Sequence, residues 1–462
     1  MDEEEVEGAV EREGPAPQAE GALPGRGYLA RVLGYGRKVW GLADLLGRVR
    51  DGRARPQVSM ETVMRVVFFC GLLRVRSFNA LEPQLGEPEL CRALGFSQLP
   101  RRRRAVRRIA SVDTLSRALR RADADSFHDM LSELVRRVER HKVLREGWVG
   151  ARRYAALDGW EPISSRYRHC EKCLERVVTD GKHQVVEYFH RYVVCLLLGD
   201  REELVLGFEP VENAAHRPMQ SSDLDEGEQT SAIRLLHKLR ARYGRWLEVI
   251  VADGLYANGP FLTALQKLGF SGIVVAKKET DEPLHDALAV WGSQPGTVVE
   301  DAEAHERLEL WDCPGVQTLT TYQGPIRVVR ALISPLGESA PCRRFERRQW
   351  CALVVGKHAL PLSARQVLRV VRGRWHLENT GFNQWTQHWR FEHVFITDAA
   401  GISALFATFF LAFNLLQLFV YRQLKTYGRL RGKDPTRTIL RVVDIFWADL
   451  HRLLEPLCWD SS

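Results

Sequence analysis

The sequence predicts an α/β protein: a mixed-sheet core carrying an antiparallel β insertion, with a helical domain before it and helices after it. Three observations lead there. Apolar residues recur at helical spacing from Tyr28 to about Gly147. From Tyr154 they change to short runs of strand length, and helical spacing resumes at Ser363 and continues nearly to the end. With 462 residues and 45% hydrophobic content, the chain has room for two or three well-filled domains.

Residues 1–27 are rich in Glu, Gly, Pro and Ala and lack apolar periodicity, which predicts a disordered acidic tail. A basic helical domain is expected over 28–150. Within it Val63–Leu73 is an apolar run, Ser111 stands before Val-Asp-Thr-Leu as a helix start signal, and Phe127–Val143 repeats apolar residues at three and four. Strands are then expected at Tyr154–Leu157, His190–Leu198 and Leu204–Val211. A helix follows from about Glu228 to Tyr243, then a strand at Trp246–Ala252, a helix at Pro260–Leu268 and a strand at Ser271–Ala276. Three strands, a helix, a strand, a helix and a strand is the order of an RNase H-like core.

Between about 279 and 360, β-leaning segments punctuated by Gly and Pro (Glu306–Trp311, Gln317–Tyr322, Ile326–Ser334 and Gln349–Val355) predict a small antiparallel insertion. The core domain is thus placed at 151–420, and 421–462 reads as a basic helical tail. Tyr421 to Arg441 carries seven Lys/Arg against one acid, Asp434, which suits a second nucleic-acid contact. Ala399–Val420 is uncharged over 22 residues, long enough to span a bilayer. It also contains Ser403, Thr408, Asn414 and Gln417, and no other segment is membrane-like, so it reads as a buried helix and no membrane partner is expected.

Charge is unevenly distributed. Residues 1–25 hold eight acids and one base, 26–157 hold 28 Lys/Arg against 13 Asp/Glu, and 158–462 hold 37 of each. The positive excess therefore precedes Asp158, as expected for a DNA-binding front end on a neutral catalytic body. Its densest part is Arg101, Arg102, Arg103, Arg104, Arg107 and Arg108, placed to grip phosphates without reading bases. A solvated basic loop is the alternative. Lys277 and Lys278 follow the last core strand, where a base could reach DNA or simply face solvent.

Nine cysteines at scattered spacings and an acidic N-terminus point to a reducing cytoplasm. Cys170 and Cys173 have zinc half-site spacing, and His169 and His183 are near enough in sequence to complete a set. Two unligated thiols are the preferred reading of this cluster. His190 and Tyr192, on the second strand, read as core.

Two acids end short apolar runs: Ala-Ala-Leu-Asp158-Gly and Val-Ile-Val-Ala-Asp253-Gly. Each reads as a buried strand breaking at a turn. A third, Glu378, lies within a helical stretch, Arg374-Trp-His-Leu-Glu-Asn, made unusually aromatic by Trp375, Phe382, Trp385 and Trp389. Arg374 lies one turn before Glu378 on the same helix face. Carboxylates converging from strand ends and a helix can hold two Mg²⁺ ions for in-line phosphoryl transfer.

From about Ser111 to Val420 the chain resembles DDE transposases of bacterial insertion sequences, in the insertion-sequence-four group. The resemblance is carried by Ala-Leu-Asp-Gly, Val-Ala-Asp-Gly-Leu-Tyr256 and Arg-Trp-His-Leu-Glu-Asn-Thr-Gly-Phe-Asn-Gln-Trp. It implies that Asp158 and Asp253 share a pair of Mg²⁺ (or Mn²⁺) ions and that Glu378 binds one of them. It further implies that water is activated to cut the phosphodiester at the element's end, and that the freed 3′-hydroxyl attacks target DNA. Double-stranded DNA, as terminal repeats and target, is the implied partner. Joining two ends implies a homodimer, and the implied location is the prokaryotic cytoplasm, at the nucleoid. The family's Tyr-Arg-Glu-Lys signature is matched at Arg374 and Glu378, where Arg374 would hold DNA. It is not matched at Val371, in the Tyr position, or at Trp385, in the Lys position. Three rival readings remain: a nuclease without strand transfer, an inactive DNA-binding derivative, and a zinc-dependent binding module.

Overall fold

A computed structural model describes residues 27–86, 94, 109–181, 183–199, 202–213, 226–276, 282–302, 304–336, 348–424, 442, 444–446 and 448–449. The acidic tail before Gly27, the arginine run 101–108, Lys277 and Lys278, and residues 425–441 of the basic tail lie outside them.

The strands are β1 (Tyr154–Ser165), β2 (Leu174–Asp180), β3 (His183–Leu198), β4 (Leu204–Pro210), β5 (Val249–Ala252), β6 (Ser271–Val275), β7 (Thr297–Asp301), β8 (Glu306–Val316), β9 (Ile326–Pro335) and β10 (Arg348–Val355). They form one mixed sheet in the order β2-β3-β1-β5-β6-β10-β9-β8-β7, with β4 also paired to β3. β1 runs antiparallel to β3 and parallel to β5, and β5 runs parallel to β6. Every residue of β5 and β6 is buried, as expected for central strands that read as apolar runs and not as alternating ones. After β4 come the helix Glu228–Tyr243, β5, the helix Gly259–Leu268 and β6, so from β4 onward the order expected from sequence is the one observed.

The structure differs from the sequence reading in three places. β1 does not break at Asp158 but continues to Ser165, with Asp158 opposite Val194 and Gly159 opposite Val193. The long strand β3 offers a partner beyond the Asp-Gly step, whereas β5 ends at Ala252, opposite Leu157. The step therefore marks where the parallel neighbour stops. The register slips between Trp160 and Ile163, around Pro162, which has no N–H to donate. β2 was not anticipated because its exposed, charged residues form no apolar run. Finally, within the antiparallel insertion, which β10 joins to the core sheet by pairing with β6 and carrying β9, β8 and β7, one expected segment is not a strand. Gln317–Tyr322 is a turn, closed by Tyr322 N donating to Leu319 O at 3.1 Å, and Thr297–Asp301 is the strand instead.

Helix starts follow local chemistry. Ser59, Ser111 and Asp398 each stand in extended backbone and accept an N–H of the first turn. The helix Ala399–Gln423 has the length and hydropathy of a membrane span, yet 83% of its most apolar window is buried within the protein. It packs against the helices Met60–Leu73, Val112–Arg121 and Ala124–Arg140 and against β4. Two of its polar residues, Asn414 and Thr408, have internal partners. Asn414 Oδ1 accepts from Val205 N at 2.8 Å, and Asn414 Nδ2 donates to Val205 O at 2.9 Å, so the amide pairs with β4 as another strand would. Thr408 Oγ1 donates to Ala404 O at 2.8 Å.

Candidate active site

Asp158 and Asp253 are neighbours by register. Leu157 pairs with Ala252 across the parallel β1/β5 ladder, and each acid is the next residue along its strand. Neighbouring strands lie about 4.8 Å apart, so the two acids stand side by side, Asp158 within β1 and Asp253 just past the end of β5. Asp253 also caps the short turn Gly254–Tyr256, accepting from Leu255 N at 2.8 Å.

Glu378 reaches the same place from a helix. Ser363 and Gln366 form a reciprocal capping box that starts the helix Ala364–Gly373. The chain then widens into a π-helical turn at Leu377–Phe382, which carries Glu378, and continues as the helix Asn383–Trp389. Such turns are rare and concentrate at functional positions. Aromatic packing fixes this one. Trp160, two residues beyond Asp158, stacks on Phe382 at 5.8 Å and meets Trp385 edge-on at 5.2 Å. Trp385 also packs on Phe410 and Phe413 of the long apolar helix.

One guanidinium joins the helix to the sheet. Arg374 Nη1 lies 2.6 Å from Asp158 Oδ2 and 2.8 Å from Glu378 Oε1. The two carboxylate oxygens are thus separated by no more than these two contacts laid end to end. Arg374, to which the resemblance gives a DNA-holding role, is 3% exposed and stands between two carboxylates. Burial pushes the Asp158 carboxyl up to about 7; the Arg374 charge pulls it down, and Asp253 and Glu228 push it further up.

Glu228 was missed from sequence. It opens the helix Glu228–Tyr243, where an acid reads simply as complementing the helix dipole. Its carboxylate presses on the backbone of β1: a Cβ added at Gly159 would meet Glu228 Oε2 at 2.1 Å. Tyr256 Oη donates to Glu228 Oε1 at 2.7 Å, and burial, followed by the Glu228 charge, holds that phenol protonated. Asp158 therefore has two acids, Asp253 and Glu228, close enough to push its carboxyl up, and shares Arg374 with a third, Glu378. Oxygen-rich, negatively charged sites of this kind suit hard divalent cations, with the Arg374 guanidinium standing in for one here.

The two positions that depart from the family signature are both core: Val371 is 1% exposed and Trp385 fully buried. The cysteine pair also has a different partner from those expected. His183 is exposed at the β2–β3 turn, and His169 stacks on Tyr188 at 4.4 Å. The histidine that meets the sulfurs is His190, with Nε2 at 3.4 Å from both Cys170 Sγ and Cys173 Sγ.

A family model described as "Transposase DDE domain" matches residues 178–415, more than half of the chain. The chain belongs to this transposase family. The matched span contains Asp253, Arg374 and Glu378; Asp158 precedes it and enters the site through the Arg374 contact. No curated protein matches the transposase chain. Among solved structures, a piggyBac transposase synaptic complex with hairpin DNA aligns over 91% of this transposase and 79% of that chain, at 14% identity and a TM-score of 0.40.

Proposed function

We propose that this transposase cleaves DNA at the ends of an insertion sequence and joins the freed 3′ ends to a target, with Asp158, Asp253 and Glu378 as catalytic acids. The observation that carries the reading is the meeting of Asp158 and Glu378 on one nitrogen of Arg374, next to the register neighbour Asp253. Asp158, Asp253 and Glu378 are the residues we assign to holding Mg²⁺ or Mn²⁺, which when bound would stabilise charge on the attacking and leaving oxygens of an in-line displacement. Glu228 adds negative charge behind Asp158, and Tyr256 keeps its carboxylate directed there. Arg374 balances the charge of Asp158 and Glu378, and would hold the DNA phosphate brought to them. The arginines 101–108, Lys277 and the basic tail would grip the DNA backbone, with charge as their support.

Residues 28–150 would then be the DNA-binding domain and 151–420 the catalytic one. A homodimer would hold two element ends at the nucleoid of a prokaryotic cell, and the insertion-sequence-four group is the branch we assign. The deciding experiment is plasmid excision with flanking terminal repeats, comparing wild type with Asp253→Asn. Loss of excision is expected, and equal excision by both would sink the catalytic assignment. A target-joining assay separates transposition from simple cleavage. The buried Val371 and Trp385 favour one other reading, a derivative that binds DNA without cutting it, for which Asp158→Ala would leave function unchanged.

A further inference from the structure

Away from the acids, at the far end of β1, three soft ligand atoms converge. Cys170 and Cys173 flank a turn after Ser165, and His190 lies on β3, opposite Ile163 of β1. Cys170 Sγ and Cys173 Sγ are 3.8 Å apart, and His190 Nε2 is 3.4 Å from each. A disulfide would place the sulfurs about 2.05 Å apart. A tetrahedral zinc ion with bonds of about 2.3 Å to sulfur and 2.0–2.1 Å to nitrogen sets its sulfurs about 3.8 Å apart and each sulfur about 3.6 Å from the nitrogen. The observed triangle is close to one face of that tetrahedron.

The turn is shaped to match. Cys173 N donates to Cys170 O at 3.1 Å, and Cys170 N donates to Cys173 Sγ at 3.2 Å. Asn213, after β4, donates from Nδ2 to Glu171 O at 2.9 Å and to Cys173 O at 3.0 Å, fixing the turn from outside. Outer partners of this kind orient ligands in metal sites. Cys173 and His190 are buried and Cys170 half-buried, so the thiols face each other and the imidazole more than solvent.

We propose that Cys170, Cys173 and His190 bind one Zn²⁺ ion, distinct from any cation at the carboxylates, with the fourth position left to water. Two sulfurs and an imidazole in tetrahedral disposition select zinc over hard cations. The ion would tie the Cys170–Cys173 turn to β3, and so hold the distal end of the strand that carries Asp158.

The test is metal analysis of the full chain purified without chelator. About one zinc per chain is expected in wild type, and less than about a tenth of that in Cys173→Ser and His190→Ala. Replacing zinc with Co²⁺ in the wild-type protein should give a sulfur-to-cobalt charge-transfer band and the visible spectrum of a tetrahedral site; this needs no variant to fold. His169→Ala and His183→Ala should keep the metal. Wild-type protein from zinc-supplemented cells that holds no zinc, with both thiols free to react and no cobalt spectrum, would overturn the proposal. So would loss of the metal in His169→Ala as complete as in Cys173→Ser. Neither readout involves DNA cleavage, so the outcome is independent of the carboxylate assignments.

Discussion

Arg374 and Asp158 are held 2.6 Å apart although 216 residues separate them, and the same Arg374 nitrogen lies 2.8 Å from Glu378. The arginine side chain is 4% exposed, so its charge is compensated almost wholly by these acids. Removing one partner of a buried ion pair costs about 3–5 kcal/mol, because the charge left behind is neither solvated nor matched. Arg374→Gln should therefore lower the melting temperature in EDTA, and added Mg²⁺ should restore much of the loss by replacing the missing positive charge. Thermal melts across a Mg²⁺ series check this; a loss that Mg²⁺ does not reduce would count against a cation site among the acids.

The Asp158 carboxyl is pushed up to about 7, first by burial, against the pull of Arg374 and with the push of Asp253. Without metal, the native chain keeps a proton that the unfolded chain releases near pH ~4. The contribution of this group to stability is therefore greatest below pH ~4, declines as pH rises to about 7, and is level above that. Melts in EDTA from about pH 5 to 8 should show the decline, and Asp158→Asn should flatten it. An unchanged slope in the variant would assign the titration elsewhere.

Trp385 is fully buried where the family signature has a DNA-holding lysine. Trp385→Ala should cost about 3–5 kcal/mol by leaving a cavity against Trp160, Phe410 and Phe413. Trp385→Lys should destabilise at least as much and should not improve DNA binding. Denaturant melts and DNA-binding titrations test both; a stable lysine variant that binds more tightly would show that the position still faces DNA.

Asn414 satisfies both backbone groups of Val205 from inside an apolar helix. Leaving those buried groups unpaired costs about 1–3 kcal/mol each. Asn414→Leu, similar in size and more apolar, should therefore destabilise the protein, as chemical denaturation would reveal. A neutral or stabilising result would mean that solvent reaches β4.

The sequence exposes the sheet acids well. Asp158 and Asp253 close runs of residues that are all buried, and such runs are hard to place anywhere but in central strands. Glu378 was visible through its aromatic surroundings and through Arg374 one turn earlier. What stayed hidden depends on partners distant in sequence. β1 continues through Trp160–Ser165 because β3 is there to pair with it, while Pro162 and two serines give little strand signal of their own. Glu228 resembles any acid at a helix start until Gly159 is seen beneath it. His190 reads as core and is buried; that its ring also meets the two sulfurs follows only from the pairing of β3 with β1.

Trp160 serves as a common gauge for the two arms of the site. The strand bearing Asp158 and the π-turn bearing Glu378 both take their position from this one indole, on Phe382 and on Trp385. The helix before the π-turn rests on the insertion as well, with Arg372 paired to Glu306 and Arg365 to Asp301. The indole nevertheless belongs to the strand of one acid and packs on the turn of the other, so a small change there would misalign the two at once.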